Sequence, residues 1–204
     1  MNRLGRLAPL TGVVFAVLAG VAFASSQQPP GASASGARVI AFYQAHSSGQ
    51  QRSDTCWFLA FIFLLLFAGS LRDHLRRSSE TEGLGSLALA GAAVLTAGAT
   101  TYFGFDYALA VVPSHLDPGA AQALNLLALK LAFPLAAGGC VFGIASGVAI
   151  VRSRLLPVWL GWTSILIGVV MATPGVIIGV AALILWAAAA SVLTFRRRGV
   201  PVPA

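Results

Sequence analysis

Charged side chains are scarce in this sequence, where Asp, Glu, Lys and Arg together make up 9% of 204 residues. Soluble proteins carry about a quarter charged residues, because a surface in contact with water has to be solvated. Hydrophobic residues reach 57%, and the mean hydropathy is +0.84. This composition excludes an ordinary soluble domain and predicts a chain whose side chains mostly face lipid.

Side chains that catalyse reactions or bind metals are also few: six acidic residues, three histidines and two cysteines. His46 and His115 lie in segments predicted outside the membrane and His74 in one predicted inside, so no pair is placed for haem ligation within the membrane. Cys56 and Cys140 fall in separate apolar runs and are expected to be small packing residues. No spacing matches a metal-ligand or nucleophile motif. We therefore predict no catalytic residue, no cofactor, no metal site and no enzymatic activity.

Long apolar runs are what the chain has in abundance. Each is close to the roughly 20 residues that a transmembrane helix needs. The six runs cover about 7–24, 55–71, 84–105, 123–151, 157–172 and 176–195. Pro157 begins the fifth run, and the turn Thr173-Pro174-Gly175 separates the last two. The sequence predicts an all-α fold, a polytopic transmembrane helix bundle with six spans in a single domain over residues 1–204.

Arginine clusters at the ends of the runs predict the orientation. A six-span topology with both termini in the cytoplasm places ten arginines inside and two, Arg38 and Arg52, outside, which is a positive-inside pattern. The net charge of +7 does not indicate nucleic-acid binding, because that needs a continuous basic stripe. Besides Arg3 and Arg6, the inner residues expected to fix orientation and contact anionic lipid are Arg72, Arg76, Arg77, Arg152, Arg154, Arg196, Arg197 and Arg198.

The first apolar run has two interpretations. Ala22-Phe23-Ala24 matches the cleavage pattern of a signal peptide. Small residues recur at every fourth position from Gly12 to Ala24, a spacing that lets helix backbones approach closely, and this favours a retained first helix. The polar segment 25–54 that follows is predicted to be an external loop with a short amphipathic helix over about 37–46.

The fourth run contains Lys130, the one formal charge inside an apolar run. An intramembrane ionisable residue is a functional hypothesis by default. Counting about 20 residues outward from Arg152 places Lys130 near the outer boundary, at the level of Asp106. We favour a structural role, in which Lys130 either snorkels to the headgroups or pairs with Asp106. The alternative is that Lys130 lines an externally open polar pocket. The residues of that candidate pocket are Lys130, Asp106, Asn125, Thr101 and Tyr102.

Two further features of the fourth run are structural. Pro134 leaves the carbonyl of Lys130 without its helical partner, which predicts a bend. Gly139, Gly143 and Gly147 recur every fourth residue in the inner half, which predicts close packing against another helix.

Four segments carry a resemblance to a known family: ASASGARVIAFYQAHSSGQQR, LRDHLRR, LDPGAAQALN and RSRLLPVWLGW. Together they resemble an uncharacterised family of actinobacterial multi-pass integral membrane proteins, a domain of unknown function. The resemblance extends over nearly the whole chain. It implies a protein of the bacterial plasma membrane and supplies no catalytic residues.

These observations favour a structural or interaction subunit that binds membrane lipid or a partner protein, or that forms a homo-oligomer. The alternative is a small oligomeric permease or channel component with an externally facing polar site near Lys130. Neither interpretation includes a nucleic-acid partner.

The topology can be tested by cysteine labelling in intact cells. A cysteine at Ser47 should react with an impermeant maleimide, while one at Gly199 should react only after the membrane is opened, because the positive-inside pattern places them on opposite sides. Labelling of both positions from the same side would contradict the six-span topology.

Overall fold

A computed structural model describes residues 8–76 and 81–198. Within these ranges the chain forms helices and no strand. The α-helices are α1 (Thr11–Ser25), α2 (Gly36–Leu75), α3 (Glu82–Val111), α4 (Pro118–Lys130), α5 (Ala132–Ser153), α6 (Val158–Met171) and α7 (Val176–Arg198), with 3-10 turns at Ala8–Leu10 and Pro113–His115. The predicted all-α bundle is confirmed.

Five helical segments are long and apolar enough to cross a membrane, counting α4 and α5 as one continuous segment, Pro118–Ser153. The sixth, α6, has 14 residues and is therefore only about 21 Å long. The side of the membrane on which the termini lie stays a prediction.

The longest helix corrects one expectation. In place of an external loop over 25–54 with a separate helix over 37–46, α2 is a single helix of 40 residues, Gly36–Leu75. At 1.5 Å per residue it is about 60 Å long, roughly twice the hydrocarbon thickness. Its polar part stays helical because the side chains bond to neighbouring helices instead of water: the Ser53 hydroxyl donates to the Ala22 carbonyl at 3.1 Å.

The outer part of α2 packs in a second apolar core, separate from that of the membrane bundle. Val39 and Tyr43 of α2, Leu109 and Ala110 of α3, and Ala121 of α4 are all buried in it. The bundle therefore continues on one side of the membrane as a small helical cap.

The helix predicted around Lys130 begins and bends as its sequence indicates. The Asp117 carboxylate caps α4 by accepting hydrogen bonds from the Gly119 and Ala120 amides at 2.8 and 3.4 Å. Pro118 occupies the first turn. Between α4 and α5, Leu131 leaves the regular helix three residues before Pro134, where the lost amide weakens the helical ladder.

Glycines bring α5 close to α6. A Cβ atom on Gly143 would lie 2.7 Å from the Gly168 Cα of α6, and one on Gly147 would lie 2.5 Å from the Gly161 carbonyl oxygen. A Cβ on Gly139 would collide with the Met171 side chain at the end of α6. Residues 139, 143 and 147 thus lie along the α5–α6 contact, and at Gly143 and Gly147 the facing backbone is so close that only glycine fits.

The arginines expected to fix orientation lie at the end of the bundle opposite the helical cap. Arg76, Arg152, Arg154 and Arg196 are exposed and Arg72 is half-buried. Arg76 pairs with Glu82 at 2.9 Å. Arg77 lies outside the described residues, as do the side chains of Arg197 and Arg198 and the first seven residues with Arg3 and Arg6.

Replacing Gly143 by leucine should weaken the fold. The new side chain has no space between α5 and α6, and overpacking a tight contact costs about 1–3 kcal/mol or more. Thermal unfolding in detergent would show a lower midpoint for Gly143→Leu. Gly20→Leu is the matched control, since no atom lies within 4 Å of its added Cβ. Equal midpoints for the two variants would contradict the packing role of Gly143.

Candidate functional site

Asp106 places a buried carboxyl group on the half of α3 that leads to the cap. Asp106 is 3% exposed. The Tyr43 hydroxyl donates to its Oδ1, and the Gln50 Nε2 donates to its Oδ2 at 3.0 Å. Both donors come from α2, so the outer extension of that helix supplies a hydrogen bond to each oxygen of the buried carboxyl group.

A second buried acid, Asp54, lies beside the first. It follows Gln50 by one helical turn on α2, is 3% exposed, and its carboxyl group interacts directly with that of Asp106. Its Oδ2 atom is buried and accepts no hydrogen bond within residues 8–76 and 81–198. In the same ranges the single salt bridge joins Arg76 to Glu82, so no described lysine, arginine or histidine pairs with either aspartate.

The polar residues of α2 lie on one stripe of the helix. Tyr43, Gln50 and Asp54 are spaced by seven and four residues, which places their side chains on the same face, towards α3. Sequence reasoning missed this stripe because the segment was expected to be a loop. Treating α2 as one helix would have revealed the spacing.

A cavity of about 550 Å³ opens beside the two aspartates. Asp54 and Asp106 are its acidic lining residues, further polar lining comes from Gln50, Ser53, Tyr102 and residues 26–28, and the remaining lining is apolar. Val176, Ile177 and Val180 of α7 line its lower part, and residues 26–29 of the α1–α2 connection line its rim. Asp54 also borders a second, smaller cavity of about 240 Å³ between α2 and α3.

The short hairpin of α6 and α7 creates this cavity. Met171 at the end of α6 contacts Gly139 of α5 and Gly179 of α7, so the hairpin turns at the level of Gly139. The other helices continue past that level towards the cap. The volume that α6 and α7 leave unfilled is the cavity.

Aromatic rings form one wall of the cavity. Trp57 stacks on Phe103 with ring centroids 5.2 Å apart and an interplanar angle of 8°. Trp57 also stacks on Phe61 at 5.8 Å, and Phe23 of α1 meets the Trp57 ring edge-on at 5.0 Å. All four residues line the cavity. Because Trp57 follows Asp54 by three residues, the aromatic wall begins directly below the acidic pair.

The five residues of the predicted pocket are not brought together. Asp106 and Tyr102 line the cavity. The Thr101 hydroxyl is exposed and donates to the Ala97 carbonyl of its own helix at 2.8 Å. Asn125 is buried, and its Nδ2 donates to the Pro30 carbonyl at 3.1 Å.

The pairing of Lys130 with Asp106, one of the two structural alternatives beside snorkelling, is also absent from the described part of the chain. Lys130 is exposed, and its Nζ lies 5.9 Å from the centroid of the Phe133 ring. The bend at Leu131 separates α4 from α5 at this point, and Lys130 faces outward. The acidic pair, not the lysine, defines the polar site.

The fold and this site define a helical membrane protein with a ligand-sized cavity at one end of the bundle. No protein-family model, no curated protein and no solved structure matches the chain. Within the described residues, no three His, Cys, Asp or Glu side chains come together as a group able to hold a metal ion.

Removing the tyrosine hydroxyl should destabilise the cap. In Tyr43→Phe the buried Asp106 carboxyl loses one of its two donors, and losing a hydrogen bond to a charged group costs about 1.5–3 kcal/mol. Amide hydrogen exchange of α2 in detergent should become faster over residues 36–50. Tyr107→Phe is the control, because Tyr107 is 42% exposed on the same helix as Asp106. Unchanged exchange in Tyr43→Phe would show that its hydrogen bond does not hold the cap.

Proposed function

We propose that this chain is an integral protein of the bacterial plasma membrane that binds an apolar molecule from the lipid phase in the cavity above the α6–α7 hairpin. The observation that supports this function is the cavity itself. Its volume of about 550 Å³ lies within the range of about 300–1,000 Å³ typical of small-molecule sites. Like those sites, it combines an apolar lining with a few convergent polar groups.

The composition of the walls favours a ligand with a long or bulky apolar part. Trp57, Phe61 and Phe103 offer a continuous aromatic surface, and Leu135 and Val180 face it from α5 and α7. A ligand bound against these side chains would exchange its contacts with lipid tails for contacts with apolar side chains. It would gain the close packing that a fluid bilayer does not supply.

This proposal keeps part of each expectation drawn from the sequence. It assigns the protein a lipid or lipid-like ligand, as the interaction-subunit interpretation does. It also keeps the externally facing polar site of the permease interpretation, moved from Lys130 to the Asp54–Asp106 pair. A protein partner, homo-oligomerisation and the resemblance to the actinobacterial family stay predictions.

Filling the cavity should abolish ligand binding. The test uses the full chain in lipid nanodiscs with a neutral long-chain fatty alcohol that carries a diazirine in its chain. Irradiation followed by peptide mapping should place adducts on Trp57 and Phe103. In Val180→Trp those adducts should fall roughly tenfold, because overpacking costs about 1–3 kcal/mol and 1.4 kcal/mol corresponds to tenfold in affinity.

The control is Ile178→Trp, on the same helix two residues away. Ile178 is 70% exposed and does not line the cavity, so its replacement adds the same bulk facing away from the site. Adducts on the exposed Leu185 measure the background of labelling from the bilayer. If Trp57 and Phe103 are labelled no more than Leu185, or if Val180→Trp changes nothing, the proposed function is wrong.

A further inference from the structure

We infer that the molecule bound in this cavity carries a cationic amine, and that the ammonium group binds at the Asp54–Asp106 pair. This inference rests on the proposed function and specifies its ligand as a cationic amphiphile. Three features of the site lead to it: two buried acids without a basic partner in the described residues, the Asp54 oxygen that lacks a donor, and the aromatic wall.

The acidic pair lacks a positive partner. An ionised carboxylate buried away from water is costly unless a cation or several hydrogen bonds compensate it. The groups that interact with the pair are the Tyr43 and Tyr102 hydroxyls and the Gln50 amide, all of them neutral. Within the described residues no basic side chain forms a salt bridge with Asp54 or Asp106. A cationic ligand would supply the missing charge.

The two acids are satisfied unequally, and the difference shows where the ligand would bind. Both oxygens of Asp106 already accept hydrogen bonds, from Tyr43 and Gln50. The Asp54 carboxyl group contacts that of Asp106, its Oδ2 accepts no hydrogen bond from the other described groups, and Asp54 lines the cavity. A primary ammonium group has three N–H donors and no acceptor, which suits an acceptor left open beside a second carboxyl group.

The aromatic wall strengthens the preference for a cation. Trp57, one turn from Asp54, forms a stack with Phe61 and Phe103 at centroid distances of 5.8 and 5.2 Å. Ring faces attract organic cations. In this stack Trp57 and Phe61 are buried, and Phe103 is the partly exposed ring. Carboxylates at the polar end and rings along the side match a ligand with an ammonium head and an apolar body.

An inorganic ion fits this site less well. Magnesium and calcium take six or more oxygen ligands in dedicated geometries. Here two carboxyl groups meet, one of them with both oxygens already hydrogen-bonded, and within the described residues no third acid, histidine or cysteine joins them. The large apolar volume beside the pair would also serve no purpose for a bare ion.

The test compares two photoreactive probes with the same diazirine-bearing alkyl chain, one ending in a primary amine and one in an alcohol, with the full chain in nanodiscs. We expect the amine to label Trp57 and Phe103 at a concentration roughly tenfold lower than the alcohol, since a hydrogen bond to a charged group is stronger than one between neutral groups. Labelling of Leu185 corrects for the partition of each probe into the bilayer. Asp54→Asn and Asp106→Asn should each abolish the preference for the amine, so that the ratio of amine to alcohol labelling falls to about one.

Asp73→Asn is the matched control, because Asp73 is exposed at the other end of the bundle. It should keep the full preference for the amine. Equal labelling by amine and alcohol in the wild-type protein would overturn this inference and leave the proposed function standing. Absence of cavity labelling by either probe would overturn both. The wild-type comparison decides the question even if an asparagine variant fails to fold.

Discussion

The close approach of α5 to α3 and α6 is the constraint on which the rest of the structure depends. Lipid tails are as apolar as the helix surfaces, so helices in a membrane associate through tight packing. A Cβ on Gly91 of α3 would lie 2.5 Å from the Phe142 amide of α5, and Gly143 of α5 meets Gly168 of α6 at a similar separation. This packing places Met171, and with it the α6–α7 turn, at a fixed depth. The cavity exists because the α6–α7 turn does not reach the end of the bundle that carries the cap.

A second requirement connects the cap to the membrane bundle. The buried Asp106 carboxyl needs hydrogen-bond donors, and the donors on Tyr43 and Gln50 are available only if α2 continues outward as a helix. The same continuation buries Val39 and Tyr43 in the core of the cap. The unusual length of α2 and the polar site therefore have one origin. Tyr43, Gln50, Gln51 and Ser53, polar side chains in the segment expected to be a loop, each have a partner on another helix.

The sequence was informative wherever the signal is local. Apolar runs, the Asp117-Pro118 cap and the every-fourth glycines on α5 are read from neighbouring residues, and the structure shows helices, a capped start and tight contacts there. The candidate site depends on contacts between residues that are far apart in the sequence. Gln50 and its partner Asp106 are 56 residues apart, and nothing near Gln50 indicates that its amide will be buried. Lys130 drew attention because it is charged within an apolar run, but its position at a bend leaves it exposed.

The acidic pair carries a cost that the proposed ligand would offset. A buried carboxyl oxygen without a donor, next to a second carboxyl group, makes the folded protein less stable. Hydrophobic side chains at these two positions would remove that cost, so the structure retains a local arrangement that folding alone does not favour. A molecule that binds the folded protein at this point and compensates the charge stabilises it by mass action. The juxtaposition of the Asp54 and Asp106 carboxyl groups, which is costly by itself, would then be the source of the selectivity for a cationic ligand.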